Sequence, residues 1–327
     1  RLKALYQEEG DIGRKKFAQY SRLLTVPLAI LQALSLLILL QRQGVIDPLS
    51  SFEIFTNVAI VTAGAMLLMW IGELISEFGV GNGVSLLIFA GIIAALPSQV
   101  SQFLFTFDSA QIPVYLLFLA VGLIIIGGVV MVTEAERPIG VTYAKRMRGL
   151  KMYGGGSTYL PLRLNQAGVM PIIFALSILL FPQIIANMFI GSTNLILARI
   201  SEAMTWFLQN TLIYAIAYFV LVVLFTYFYT AVTFDPKQIA TNLQKNGAFI
   251  PGIRPGQSTM EYIGRIVTRI TLVGSLFLGL IAVLPLIMRS VTGITSLAIG
   301  GTALLIVVSV VLDLVKKLDA QVSMREY

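Results

Sequence analysis

The groups with the most chemistry to offer in this chain are basic, and they fall into two runs. Arg137, Lys145, Arg146, Arg148, Lys151 and Arg163 are offset only by Glu134 and Glu136. Lys237, Lys245, Arg254, Arg265 and Arg269 are offset only by Asp235 and Glu261. Guanidinium and ammonium groups at this density recognise phosphate or carboxylate, so one reading is a docking surface for an RNA or an acidic protein. The other reading is topogenic: the charge holds both segments on one side of a membrane and touches anionic lipid. Each run carries turn chemistry. In Pro251-Gly252-Ile253-Arg254-Pro255-Gly256 the two prolines predict a stiff turn that holds Arg254 out at a loop tip. Gly154-Gly155-Gly156-Ser157 does not read as a phosphate loop. It lacks the Gly-Lys-Ser/Thr ending, and no strand is predicted before it.

Other chemistries have no residues to perform them. The chain has no His and no Cys, which excludes thiolate nucleophiles, Cys/His metal sites and imidazole bases. Its long apolar runs contain no Asp, Glu, Lys or Arg either, so they lack the ionisable groups that pumps and ion-coupled carriers keep inside the membrane. Glu73 and Asp313 sit at the ends of such runs and read as interfacial, solvated carboxylates.

Those runs are the elements that must position everything else. Of 327 residues, 57% are hydrophobic and only 12% charged, and the mean hydropathy is +0.87. Soluble domains carry about 25% charge. A bilayer core needs roughly 20 apolar residues per helix. Eight stretches meet or approach that length: 23–40, 54–72, 83–105, 113–133, 167–191, 207–234, 270–288 and 294–312. They do not alternate as barrel strands would, so helices are predicted. The first run follows a charged 22-residue segment without a small-residue cleavage pattern, and reads as a span rather than a signal peptide. With both termini inside, twenty Lys and Arg fall inside and three outside, which satisfies the positive-inside rule. The fold class is therefore all-α: a polytopic membrane bundle of eight helices with both ends cytosolic. Pro97 is expected to end the third helix early, and Pro171 with Pro182 to make a bent, movable helix. Connections of more than thirty residues at 134–166 and 235–269 far exceed the ordinary helix–helix loop of about 2–8 residues.

Four stretches carry a resemblance to a known family. They are Gly81-Asn82-Gly83-Val84-Ser85-Leu86-Leu87-Ile88-Phe89-Ala90-Gly91-Ile92, Leu160-Pro161-Leu162-Arg163-Leu164-Asn165-Gln166-Ala167-Gly168-Val169-Met170-Pro171, Asn246-Gly247-Ala248-Phe249-Ile250-Pro251-Gly252-Ile253-Arg254-Pro255-Gly256, and Gly300-Gly301-Thr302-Ala303-Leu304-Leu305-Ile306-Val307-Val308. In this order the chain resembles the SecY family, the pore-forming subunits of the bacterial protein-conducting channel. That family has ten transmembrane helices in two pseudo-symmetric halves. The resemblance implies that this chain holds helices three to ten, without the first two and the plug between them. It divides the chain into a cytosolic segment 1–22, family helices three to six over 23–133, a basic cytosolic loop 134–166, helices seven and eight over 167–234, a second basic loop 235–269, helices nine and ten over 270–318, and a tail 319–327.

The resemblance also implies roles. Val84 and Ile88, Ile173 in Pro171-Ile172-Ile173-Phe174, and Ile306 in Leu304-Leu305-Ile306 match the family's aliphatic pore ring. Read alone, each is ordinary helix packing; the motif match makes the assignment. An apolar constriction passes a peptide without selecting sequence and disfavours water and ions when empty. The lateral gate, which admits signal sequences and releases apolar segments into lipid, corresponds to 23–40 facing 167–191 and 207–234. Gln32 and Asn187 are its polar candidates, and a local helix–helix hydrogen bond is the competing account. Arg254, Arg146, Arg148, Lys151 and Lys245 match loops that dock the ribosome, including its rRNA, or the SecA motor ATPase. SecE and SecG, nascent polypeptides and membrane lipids are the other implied partners. No cofactor, metal or enzymatic activity is implied, and the location is the bacterial plasma membrane. Without the resemblance, a multi-pass small-molecule transporter would be the competing function.

Overall fold

The computed structural model describes residues 10–105, 112–143, 146–148, 151–153, 156–189, 194–292 and 300–325. Its elements, in chain order, begin with four helices: α1 (Gly10–Arg42), α2 (Ser51–Phe78), α3 (Gly83–Phe105) and α4 (Ile112–Glu134). Four strands follow, β1 (Glu136–Tyr143), β2 (Arg146–Arg148), β3 (Lys151–Tyr153) and β4 (Ser157–Arg163). Then come α5 (Met170–Phe189), α6 (Leu195–Gln209), α7 (Thr211–Thr233), α8 (Pro236–Lys245), β5 (Ala248–Phe249), α9 (Gln257–Thr292) and α10 (Gly300–Arg325). Among the described residues, seven helices are long and apolar enough to cross a membrane. The eighth apolar run begins outside the described residues and continues as α10. Lipid offers no partner to an open N–H or C=O, so a helix, which satisfies them internally, is the form these runs take.

Several boundaries differ from the apolar runs, because helix length follows backbone bonding and not hydropathy. α1 starts at Gly10, inside the charged N-terminal segment. α3 runs through Pro97 to Phe105 rather than ending at the proline. Pro171 is the second residue of α5, where its missing N–H breaks no helical bond, so only Pro182 interrupts that helix. α9 is 36 residues long, about 54 Å, well beyond an apolar core of about 30 Å. Its first third, residues 257–269, therefore belongs to the second basic segment.

The chain forms two compact units. The first joins Arg1–Ala90 with Leu180–Asn210, and the second Gly91–Leu179 with Thr211–Tyr327. In the first, α1 and α2 are neighbours, and the Arg22 guanidinium meets Glu73 at 2.6 Å. In the second, α9 is the central helix, and glycines let its neighbours approach. A Cβ on Gly279 would lie 2.7 Å from the Phe219 ring of α7, and one on Gly274 2.7 Å from the Leu164 carbonyl oxygen. Gly128 of α4 abuts the Phe277 ring of α9 in the same way. Phe174 of α5 stacks on Phe225 of α7 with ring centroids 5.9 Å apart.

The second unit also contains structure that apolar runs could not announce. β1 pairs antiparallel with β4, and β1 pairs antiparallel with β5, giving the sheet order β4-β1-β5. β4 belongs to the first basic segment and β5 to the second, so one sheet unites both. Strand alternation turns Ile139, Val141 and Leu162 inward, onto Ala248, Ile250 and the Ile263, Ile266, Val267 and Ile270 face of α9. The two loops are thus a single folded platform with its own core. Four span ends lead directly into it: those of α4, α5, α7 and α9.

Candidate functional site

The Gly81-Asn82-Gly83 corner positions two of the predicted ring residues. Gly81 has φ +93°, a conformation that glycine adopts without strain. Asn82 caps α3, its side-chain oxygen accepting from the Ser85 N–H at 3.2 Å. Gly83 presses on α2: a Cβ there would collide with the Gly72 carbonyl oxygen. The Gly83 N–H donates to the Ser76 hydroxyl oxygen at 2.8 Å, and that hydroxyl donates to the Gly72 carbonyl at 2.9 Å. The corner sets where α3 starts, and so where Val84 and Ile88 stand, four residues apart on one helix face. Val84 is exposed but packs against Gly72, while Ile88 is half-buried.

The other two ring candidates belong to the second unit. Ile173 lies in the first turn of α5, its N–H bonded to the Val169 carbonyl at 3.3 Å, and is half-buried. Ile306 lies on α10 and is buried at 6% exposure.

Of the gate candidates, Asn187 has a partner. Its side-chain amide donates to the Ser35 hydroxyl at 3.5 Å, joining α5 to α1 within the first unit. Gln32 is exposed and lies three residues before Ser35. Ser35 itself, 4% exposed, is the polar residue that sequence reasoning missed. The signal was available in its spacing from Gln32 within an apolar run.

The basic candidates are spread over the platform. Ile250 and Ile253 close a turn, with the Ile253 N–H donating to the Ile250 carbonyl at 3.1 Å. Pro251 takes its second position and Gly252, with φ +81°, its third, as a type II turn requires. Arg254 follows with its side chain exposed, and its carbonyl accepts from the buried Thr259 hydroxyl at 2.9 Å. The backbone around Arg254 is therefore held from both sides. Lys245 is exposed at the C-terminus of α8, where a cation suits the helix dipole. Arg146 and Arg148 lie on β2 and Lys151 on β3, and the register pairs Arg146 with Tyr153 and Arg148 with Lys151. The strand Lys151–Tyr153 stands before the glycine run, contrary to the sequence expectation. The missing Gly-Lys-Ser/Thr ending still separates that run from a phosphate loop.

The platform's electrostatics follow from how its four carboxylates are used. Glu134 holds Lys316 at 2.9 Å and Glu136 holds Arg163 at 3.3 Å. Asp235 caps α8 by accepting from the Lys237 N–H at 2.9 Å. Glu261 accepts from the Gln257 amide at 3.2 Å. Lys237, Lys245 and Arg254 are exposed and have no ion-pair partner among the described residues. Every acidic group of the platform is thus engaged locally, which leaves a net positive surface.

Apolar spanning helices joined to a folded basic platform define the class as a polytopic α-helical membrane protein. Comparison with known proteins narrows it. The SecY family model matches residues 1–315. The protein translocase subunits SecY of Mycobacterium bovis and Halalkalibacterium halodurans are each 43% identical, over 98% and 99% of this chain and 75% and 77% of theirs. The SecY subunit of Thermotoga maritima is 40% identical over 98% of this chain and 72% of its own. The chain belongs to the SecY family. The fold agrees with two solved structures, each with a TM-score of 0.66 and 19% identity. One is of a SecY channel studied for the role of its plug domain in the closed state, and the other of a protein-conducting channel. They cover 96% of this chain and 77% and 76% of their own. The function of the chain is accordingly that of a protein-conducting channel of the translocase.

Proposed function

We propose that unfolded polypeptides cross the membrane past an aliphatic ring to which Val84, Ile88, Ile173 and Ile306 contribute, and that apolar segments leave sideways between the α1 side and the α5 and α7 side. The family match through residues 1–315 carries this reading. The rigid corner under Val84 and Ile88 supports it, since a constriction needs side chains on a fixed helix start. Gln32, Ser35 and Asn187 form the polar part of the gate. Aliphatic side chains suit the task because they contact a moving chain without hydrogen-bonding to it.

The platform is the docking surface for the ribosome or the SecA motor ATPase, and Arg254, Lys245, Arg146, Arg148 and Lys151 supply its cations. SecE and SecG complete the complex in the bacterial plasma membrane, with the platform on the cytosolic side. The engaged carboxylates support this assignment, because they leave the outward cations available to an acidic partner.

The test is crosslinking during arrested translocation. These 327 residues hold no Cys, so a single Cys at Ile88 or Ile173 is unique among them, and any Cys elsewhere in the complex is replaced by Ser. In the complete translocase with a stalled secretory substrate, both positions crosslink to the substrate, and a Cys at exposed Leu224 does not. Absence of crosslinks from both ring positions in a complex shown to hold substrate overturns the ring assignment. In the same preparations, Arg254→Ala weakens motor or ribosome binding and lowers its salt dependence, while Arg163→Ala does neither, because Glu136 already engages that guanidinium.

A further inference from the structure

The helix α6 is not a span and has no part in the reading above. It is 15 residues long, about 22 Å, too short to cross the bilayer core. Sequence reasoning left its first part as an outside connection and gave its last residues to the next span. Its ends are well made: the Asn194 side chain accepts from the Ile196 N–H at 3.0 Å, and the Asn210 N–H donates to the Trp206 carbonyl at 3.0 Å. It is also docked. Ser201, 2% exposed, donates its hydroxyl to the Ala186 carbonyl of α5 at 2.9 Å.

The exposed faces of α6 are ordered around that contact. At about 100° per residue, Ile196, Ile200 and Ala203 share a sector of roughly 60° on one flank of the docked side. All three are exposed, Ile196 at 69%. Next round the helix come Arg199 and Trp206, then Glu202 and Gln209, all exposed, with Trp206 at 60%. The order is therefore docked side, apolar flank, indole and guanidinium, then polar face. Leu195, 68% exposed, is the one large apolar residue outside it.

Connectivity says what covers the apolar flank. One residue, Asn210, separates α6 from the spanning helix α7, and four residues with the cap Asn194 separate it from the spanning helix α5. Both ends are thus tied to the same boundary of the bilayer, at the end of α5 away from the platform. We propose that α6 lies in the membrane interface, with Ile196, Ile200 and Ala203 against acyl chains and Trp206 at the headgroup level. An amphipathic indole is favoured at that depth. Arg199 and Glu202 balance, so the partner is the apolar edge of the lipid layer and not its charge.

The test uses Trp206 as the reporter. These 327 residues hold two Trp, so Trp70→Phe, together with Phe at any Trp elsewhere in the complex, leaves Trp206 as the reporter. The complete translocase carrying this change is reconstituted in phosphatidylcholine vesicles with spin-labelled lipid quenchers placed at the headgroup, near the top of the acyl chain, or near its end. The expected result is strong quenching by the two shallow labels and weak quenching by the deep one, unchanged when part of the lipid is anionic. Ile196→Asn with Ile200→Asn reduces the shallow quenching and shifts emission to the red, with thermal stability retained. Quenching by aqueous acrylamide but by no lipid label places the helix in water and overturns the proposal. Protection from both overturns it too, because a protein subunit then covers the helix. Quenching that needs anionic lipid refutes the apolar basis of the contact.

Discussion

Replacing Gly83 by Ala tests the corner on which half of the proposed ring depends. The added Cβ would collide with the Gly72 carbonyl oxygen and sit 2.8 Å from its carbon. Both belong to the α2 backbone, so no side chain can rotate away, and the two helices must part. Overpacking of this kind costs about 1–3 kcal/mol. Separation also stretches the Gly83 N–H to Ser76 bond, worth about 1 kcal/mol. The sum is roughly 2–4 kcal/mol, a fall of about 5–10 °C in Tm for a chain of this size. The assay is thermal unfolding of the complete translocase in lipid nanodiscs, read against Gly91→Ala. Gly91 lies on the same helix, but a Cβ there meets nothing within 4 Å, so its variant keeps or slightly raises Tm. Equal Tm values for the two variants would refute the argument, because both gain the same methyl and only the neighbouring backbone differs. Translocation should fall in Gly83→Ala even below its melting range, since Val84 and Ile88 move with the start of α3.

Two further predictions concern the platform and the gate. Gly252→Ala destabilises the Arg254 turn by about 1–2 kcal/mol, because φ +81° is strained for a residue with a Cβ even though the space is open. Gly140→Ala, in equally open space without that φ, is neutral in the same chemical denaturation series. Ser35→Ala and Asn187→Ala show a coupling of at most about 1 kcal/mol in a double-mutant cycle, since their bond is long and interhelical bonds in membranes average about 0.6 kcal/mol. A cycle that closes to zero would show that the two side chains are not bonded in the membrane.

The membrane helices were legible in the sequence for a simple physical reason. An uncharged apolar run of about 20 residues has one outcome in lipid, and the backbone must bond within itself. The same logic made α3 readable, from Gly83 to Phe105, although its persistence through Pro97 was not. The motif glycines were visible too, but their purpose was not. That Gly83 has no room for a Cβ depends on Gly72, eleven residues earlier on another helix. Hydropathy treats each segment alone, so it presented the two basic segments as separate loops. What joins them is β5 adding to β1 across more than a hundred residues, together with a helix face whose Ile263, Ile266 and Ile270 complete the core. α6 stayed hidden because its apolar residues are dispersed over a 3.6-residue period and broken by Arg199 and Glu202. The sequence by itself determined that the chain spans a membrane and which family it resembles, since composition and local order suffice for these. Only the tertiary structure decided which cations are left unpaired, which glycines are irreplaceable and where the platform core lies, because those depend on neighbours that are distant in sequence.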